Sequence, residues 1–202
     1  SGIGIGRVAA ATHWHPAGLP AGMAPGLYET ALLTPDVLDA PDSADRVASA
    51  VTFGFICDLA AVEIDPQTGR VRIERYASVH DVGRILNPII VEGQVRGGFA
   101  HGFGAAMFEE LIYDEDGNFL SGTFADYLCP TAADLPPVEL AHSRTDSPQN
   151  SLGSKGMGDG SSMLTPVVMA NAVSDALDRD DIELPLTLDK VWRLANDGKG
   201  QS

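Results

Sequence analysis

Gly153-Ser154-Lys155-Gly156-Met157-Gly158-Asp159-Gly160-Ser161-Ser162 decides how the rest of the chain is read. Glycines alternate at 156, 158 and 160, so backbone N–H groups can approach closely whatever lies in front of them. Asp159 sits between two of them. From Met163 to about Leu177 apolar residues then recur at helical spacing, among them Leu164, Val167, Val168, Ala172, Val173 and Ala176. Pro166 is expected in the first turn, where a missing N–H is harmless. A glycine loop that empties into a helix N-terminus makes an anion site, because unpaired N–H groups and the helix dipole both favour negative charge. A carboxylate on such a loop can also be aimed at a reacting centre. The local sequence leaves a second reading open, a tight turn in which Asp159, Ser161 and Ser162 are ordinary N-caps. The spacing matches neither a P-loop nor a G-x-G-x-x-G dinucleotide turn.

Upstream, Glu92–Glu110 reads as a helix holding five glycines: 93, 97, 98, 102 and 104. Each costs up to about 1 kcal/mol relative to alanine in a helix interior. Close approach of another backbone or of a bulky ligand is the gain that would offset this. Gln94, Gly97/Gly98 and His101 are spaced to share one face. Dense helix–helix packing explains the same pattern equally well. Before this helix, the apolar run Val51–Ile64, the turn Asp65-Pro66-Gln67-Thr68-Gly69 and the alternating Val71, Ile73, Arg75, Ala77 and Val79 predict a β-hairpin. Leu111–Tyr113 and Phe119–Phe124, around Asp114-Glu115-Asp116-Gly117-Asn118, predict a second hairpin. Val138–Ser143 alternates like a strand, and Leu188–Ala195 reads as a short helix.

Residues 1–50 are read as an irregular arm or connection in which Ser1–Ala11 could be a strand or a helix start, residues 51–195 as the main domain, and 196–202 as a polar tail expected to be disordered. His13 and His15 stand two apart, with no acid or third histidine nearby to complete a metal site, and read as a surface loop. The 202 residues are 44% apolar, enough for a real core, and carry 13 basic against 28 acidic residues, a formal charge of −15. That balance argues against nucleic acid and anionic membrane surfaces as partners. Cys57 and Cys129 have no metal-site spacing, and no apolar run approaches the roughly 20 residues that span a bilayer. The start lacks a basic region followed by an apolar one, so no signal peptide is read, and a reduced, cytoplasmic setting is expected.

Taken in order, the segments resemble the C-terminal part of the molybdopterin-binding large subunit of the xanthine oxidase / aldehyde oxidase / carbon monoxide dehydrogenase family. The resemblance rests on Val62–Gly69, Asp81-Val82-Gly83, Asn87-Pro88, Gly93–Gly104, Glu109-Glu110, Asp126-Tyr127, Leu152–Asp159 and Ala170–Leu177. None of these is diagnostic alone. Their set and order are specific over about residues 50–195.

The resemblance implies an α+β fold, with β-hairpins and mixed sheet packed against the glycine-rich helices 92–110 and 163–178, forming half of a molybdenum-cofactor-binding domain. It places Gln94 where the family hydrogen-bonds the pterin, with Gly97, Gly98 and His101 beside it. Lys155, Gly156, Met157 and Gly158 fall on the backbone next to the molybdenum, with no protein side chain as metal ligand. Many relatives carry glutamine where His101 stands. Asp159 falls where the family places its catalytic glutamate, the general base of a hydroxylation that takes its oxygen from water. It is one methylene shorter, so its oxygens fall about 1 Å or more short, a misplacement that can cost about 100-fold.

The earlier half of the molybdenum domain and the iron–sulfur cysteines are not in this sequence. It is therefore read as one subunit of a split hydroxylase acting on an aldehyde or N-heterocycle. The expected cofactor is molybdenum-molybdopterin in its cytosine dinucleotide form. The expected partners are a chain with the other half of the domain, an iron–sulfur subunit and an FAD subunit. A non-catalytic half that only closes the cofactor site, and a non-redox or reductive reaction on the same cofactor, are the alternatives.

Overall fold

The structure, a computed structural model, describes residues 2–197. The chain divides into two units, Ser1–Ser49 and Ala50–Ser202. In the first, the stretch that could be a strand or a helix start is a helix, α1 (Ile5–Trp14). It runs on through His13 and Trp14, where regular structure was expected to break, and is followed by a single 3-10 turn at Pro16–Gly18. α1 has no side-chain cap at Gly4, and Thr12 is its one buried residue. The rest of the unit is turns and extended chain, with one turn where Asp42 Oδ1 accepts from the amides of Ala44 and Arg46. His13 and His15 are both exposed, and among the described residues no three His, Cys, Asp or Glu side chains gather into a metal site.

The second unit is built on a three-stranded mixed sheet in the order β1-β2-β3. β1 (Phe55–Asp65) and β2 (Arg70–Asp81) are the antiparallel hairpin expected around Asp65–Gly69, with a bulge at Ala61/Val62. In the turn the Asp65 carboxylate accepts from the Gln67 amide and the Thr68 hydroxyl, and Gly69 takes a φ of +72°. β3 (Val138–Ser143) joins parallel to β2. The second predicted hairpin shrinks to one bridge, Tyr113 to Phe119. Its turn chemistry is present, since Asp114 Oδ1 accepts from the Asp116 and Asn118 amides. Its flanks Leu111, Ile112, Phe119 and Leu120 stay exposed, with no sheet face to bury them.

α2 (Pro88–Met107) begins one turn earlier than its periodicity suggests, because Asn87 is its N-cap and Pro88 occupies the first turn. α3 (Gly160–Leu177) also starts early. Pro166 therefore lies inside the helix and not in its first turn, and leaves the Ser162 carbonyl without its usual helical donor. α4 (Leu188–Asn196) takes in Asn196, the first residue of the tail expected at 196–202, because the helix runs on to a C-cap at Asp197; residues 198–202 of that tail lie outside the described residues. Two apolar clusters fix the helices on the sheet. One joins Tyr76, Phe99, Phe103 and Val138, with the Tyr76 and Phe99 rings 4.5 Å apart. The other gathers Ala106, Met169, Val173, Leu186 and Val191 under Ala60, Val62, Ile64 and Ile73.

Candidate functional site

The loop 150–160 is held from behind and open in front. Behind it, Val82–Arg84 at the end of β2 pairs with Gly153–Lys155: the Lys155 amide donates to the Val82 carbonyl (2.9 Å) and the Arg84 amide to that of Gly153 (3.0 Å). Gly83 and Gly153 both take positive φ, +62° and +69°, and a Cβ on Gly83 would overlap the Gly153 carbonyl. The Asn150 side chain spans the bend, accepting from the Ser154 amide and donating to the Ser154 carbonyl.

Under this pairing lies a buried ion pair. Asp81 accepts from the Gly83 amide (2.9 Å), the Thr145 amide (3.1 Å) and the Thr145 hydroxyl, and Lys155 Nζ stands 3.3 Å from its Oδ1. The Thr145 hydroxyl, then the two amides and Lys155, hold the Asp81 carboxyl well below the usual carboxylate range. Lys155 also donates to Thr145 Oγ1 (2.6 Å) and sits over the Phe55 ring, 5.5 Å from its centre. Its side chain is 7% exposed. The ammonium is thus turned inward as a strut.

Gly156, Met157 and Gly158 line a cleft of about 180 Å³ with Phe55, Ile56 and Met163, and Asp81 and Val82 line it too. A Cβ on Gly156 or Gly158 would meet nothing within 4 Å among the described residues. Asp159 follows at the N-cap position of α3, exposed, in left-handed backbone at φ +50°, ψ +6°, and its side chain makes no cap hydrogen bond. The capping function expected of it falls to its carbonyl, which accepts from the Ser162 amide (3.1 Å) and hydroxyl (2.6 Å). An unused carboxylate on strained backbone does not behave as an ordinary cap.

Four of the five glycines of α2 separate into two sets, while Gly104 is packed against Glu109 and Pro130. Gly98 and Gly102 face α3: a Cβ on Gly98 would lie 3.2 Å from Ser161 Cβ, and one on Gly102 would lie 2.8 Å from Thr165 Cβ and 3.0 Å from the Ser162 carbonyl. Gly98 therefore leaves the face it was expected to share, because that spot is filled by α3. Gly93 and Gly97 face open space, with Gln94 and His101 exposed on the same side. Residues rise together along the contact, 98 against 161 and 102 against 165, so α2 and α3 run side by side with both N-termini at the same end. Gln94 lies one turn beyond Gly98 toward that end, the end that carries the 156–159 loop.

A third group was not anticipated. Asp58, Tyr76, Ser78, His80, Ser161 and Thr165 form a buried polar cluster between the hairpin and the first turns of α3. Tyr76 donates to Asp58 Oδ2 (2.7 Å) and lies 3.1 Å from Thr165 Oγ1, and Ser78 donates to Asp58 Oδ1. Burial, ahead of the neighbouring Asp58, raises the Tyr76 hydroxyl, and burial lowers His80. The signal was in the strand: Tyr76, Ser78 and His80 occupy three successive inward positions where alternation normally puts apolar side chains.

The molybdopterin cofactor-binding domain family matches residues 2–136. The large subunit of nicotine 6-hydroxylase from Paenarthrobacter nicotinovorans is 40% identical over 196 residues, 96% of this chain and 22% of that protein. The solved structure of reconstituted CO dehydrogenase from Oligotropha carboxidovorans superposes with a TM-score of 0.74 at 30% identity, over 94% of this chain and 22% of that one. Quinoline 2-oxidoreductase from Pseudomonas putida 86 does so at 0.64 and 37% identity, over 67% of this chain and 18% of that one. The chain thus spans about a fifth of the length of these relatives. An open glycine loop running into a helix N-terminus, beside a second helix start and a glycine-faced helix, suits a large anionic group such as a molybdopterin. With this fit and the match over two thirds of its length, the chain belongs to the molybdopterin cofactor-binding domain family of molybdenum-dependent oxidoreductases.

Proposed function

We propose that this chain is the base-bearing part of a molybdenum hydroxylase that oxidises an aldehyde or N-heterocycle with water as oxygen source. It completes its site with a chain that carries the other half of the domain. The observation that carries the reading is Asp159: a free carboxylate on left-handed backbone, at the mouth of an open glycine loop. Gly156, Met157 and Gly158 would offer backbone N–H groups to the cofactor, and Gln94, Gly97 and His101 would meet it from α2. Gly98 and Lys155 would act from behind, by packing and bracing. When bound, the cofactor supplies the two-electron redox chemistry and the oxygen-transfer centre. Asp159 would take the proton that the attacking oxygen gives up, and hold it at a carboxylate oxygen.

The need for further protein is supported by apolar side chains left uncovered around the loop, with Ile90 61%, Met163 74% and Phe55 67% exposed. A cytosine dinucleotide on the pterin and electron transfer to iron–sulfur and FAD partners complete the proposal. No helix among the described residues is long and apolar enough to cross a membrane. The test is turnover of the assembled enzyme with Asp159→Asn, which keeps the shape and removes the base. The expected result is a fall of roughly 100-fold or more with molybdenum content intact, and retained or improved turnover in Asp159→Glu, which restores reach. Parental turnover in the Asn variant would make Asp159 a loop residue and sink the proposal.

A further inference from the structure

We propose that His80, with Asp58, Tyr76 and Ser78, is a positioning cluster that holds the first turn of α3 and thereby aims Asp159. The inference rests on the reading of Asp159 as the base. Asp159 is tied to the helix through its own carbonyl, which both the amide and the hydroxyl of Ser162 grip. Its strained backbone therefore goes where Ser161 and Ser162 go. That turn is clamped on two sides. On one, the missing side chain of Gly98 lets α2 close on Ser161 and Ser162. On the other stands the polar cluster.

The proton arrangement in the cluster follows from counting donors. The Ser78 hydroxyl gives its proton to Asp58 Oδ1, so its oxygen, 2.6 Å from His80 Nε2, must accept. His80 therefore carries its proton on Nε2. The same nitrogen lies 3.5 Å from Ser161 Oγ, on the first turn of α3. One turn on, Thr165 donates to the Ser161 carbonyl (2.7 Å) and meets the Tyr76 hydroxyl. His80 is fully buried, and its Nδ1 has no partner among the described residues. A leucine would fill similar space without that orphan nitrogen. What leucine would lose is the Nε2 edge, which faces Ser78 and Ser161 together. The ring is thus spent on registering strand against helix.

Amide hydrogen exchange across residues 156–165, in the protein assembled with the rest of its domain, tests this with α4 as internal reference. His80→Leu is expected to speed exchange in 156–165 by about tenfold or more while α4 stays at the parental rate. His80→Gln, whose amide can donate to Ser78 as the ring does, is expected to stay within about threefold of the parent. In turnover, His80→Leu should lower kcat by roughly 10- to 100-fold with KM unchanged, the mark of a misaimed base. Should the Leu variant fail to assemble, Ser161→Ala removes the helix end of the contact and carries the same expectations. Parental exchange in 156–165, an equal rise in α4, or a Gln variant that behaves like Leu would overturn the proposal. Asp159→Asn is run beside them. If it turns over like the parent, the base assignment fails and the exchange result alone decides on the cluster. If it falls while His80→Leu and Ser161→Ala keep parental kcat and exchange, the positioning inference fails alone.

Discussion

Two glycine-rich regions, α2 and the 153–160 loop, lie side by side, and each uses glycine for two opposite reasons. Along the α3-facing side of α2 the space that a side chain would need is taken by the chain itself, by Ser161 at Gly98 and by Thr165 and Ser162 at Gly102. At Gly156 and Gly158 of the loop, and on the outward side of α2 at Gly93 and Gly97, that space is empty of described residues to 4 Å, whereas Gly153 and Gly160 at the loop's two ends are packed against Asp146 and Ile56. The first kind of glycine serves the packing of this chain. The second kind leaves room for something the chain does not contain. The difference cannot be seen in composition, and it separates the frame of the site from its mouth.

The frame is most exposed to test at the loop's back. Asp81→Asn leaves the Lys155 ammonium buried without its counter-charge, and breaking a buried pair in this way costs about 3–5 kcal/mol. The sign of the pH effect follows from the same contacts. Asp81 is held below its unfolded value, so its contribution is fully present above about pH 4, the range of an unfolded aspartate, and is lost as pH falls toward the folded value. Thermal melting should therefore show a lower midpoint for Asp81→Asn at pH 7. Below pH 4 the parent should lose more stability than the variant does. Equal midpoints at pH 7 would make the strut ornamental and leave the loop's position to its backbone pairing.

How much of this was legible depends on how local the interactions are. The hairpin at 65–69 was readable because its turn residues and its alternation lie within one continuous stretch. The second hairpin carried equally good turn residues at Asp114–Asn118, but turn chemistry specifies only the bend. Strand pairing also needs a face to cover, and Leu111 and Phe119 have none here. α1 could be read only as a strand or a helix start, because Gly4 offers no side-chain cap and its first turn holds no acid to mark a beginning. Pro166 was placed in a first turn because the helix was started at the first apolar residue, three positions late. In the site, the loop and Asp159 were visible as sequence. The cluster around His80 was not, because its links bridge up to 89 positions. The inward direction of Lys155 was equally out of reach, since Asp81 and Thr145 lie 74 and 10 residues away.

A smaller effect is expected at the helix contact. In Gly102→Ala the new methyl meets Thr165 Cβ and the Ser162 carbonyl, backbone that cannot swing aside. Overpacking of this kind costs about 1–3 kcal/mol. The midpoint of melting should fall, and molybdenum content should fall with it, because α3 carries the Asp159 loop. A variant as stable as the parent would show that α2 and α3 can part slightly at no cost, and would weaken the distinction between filled and open glycines.

The smallest and most discriminating effect is at Gly97, on the opposite side of the comparison. Nothing among the described residues stands within 4 Å of a methyl there, so Gly97→Ala has room. It also removes a poor helix former from a helix interior and should stabilise the chain by up to about 1 kcal/mol. For a protein of this size that is roughly 2–4 °C in the melting midpoint. If the open face receives the pterin or the other half of the domain, the same methyl stands in the way, and molybdenum per enzyme should drop although the fold is firmer. The two readouts then move in opposite directions, which no packing role within this chain produces. A lower midpoint would mean that the chain fills this face after all. A higher midpoint with unchanged molybdenum would mean that the glycine admits nothing, and the mouth of the site would shrink to the loop itself.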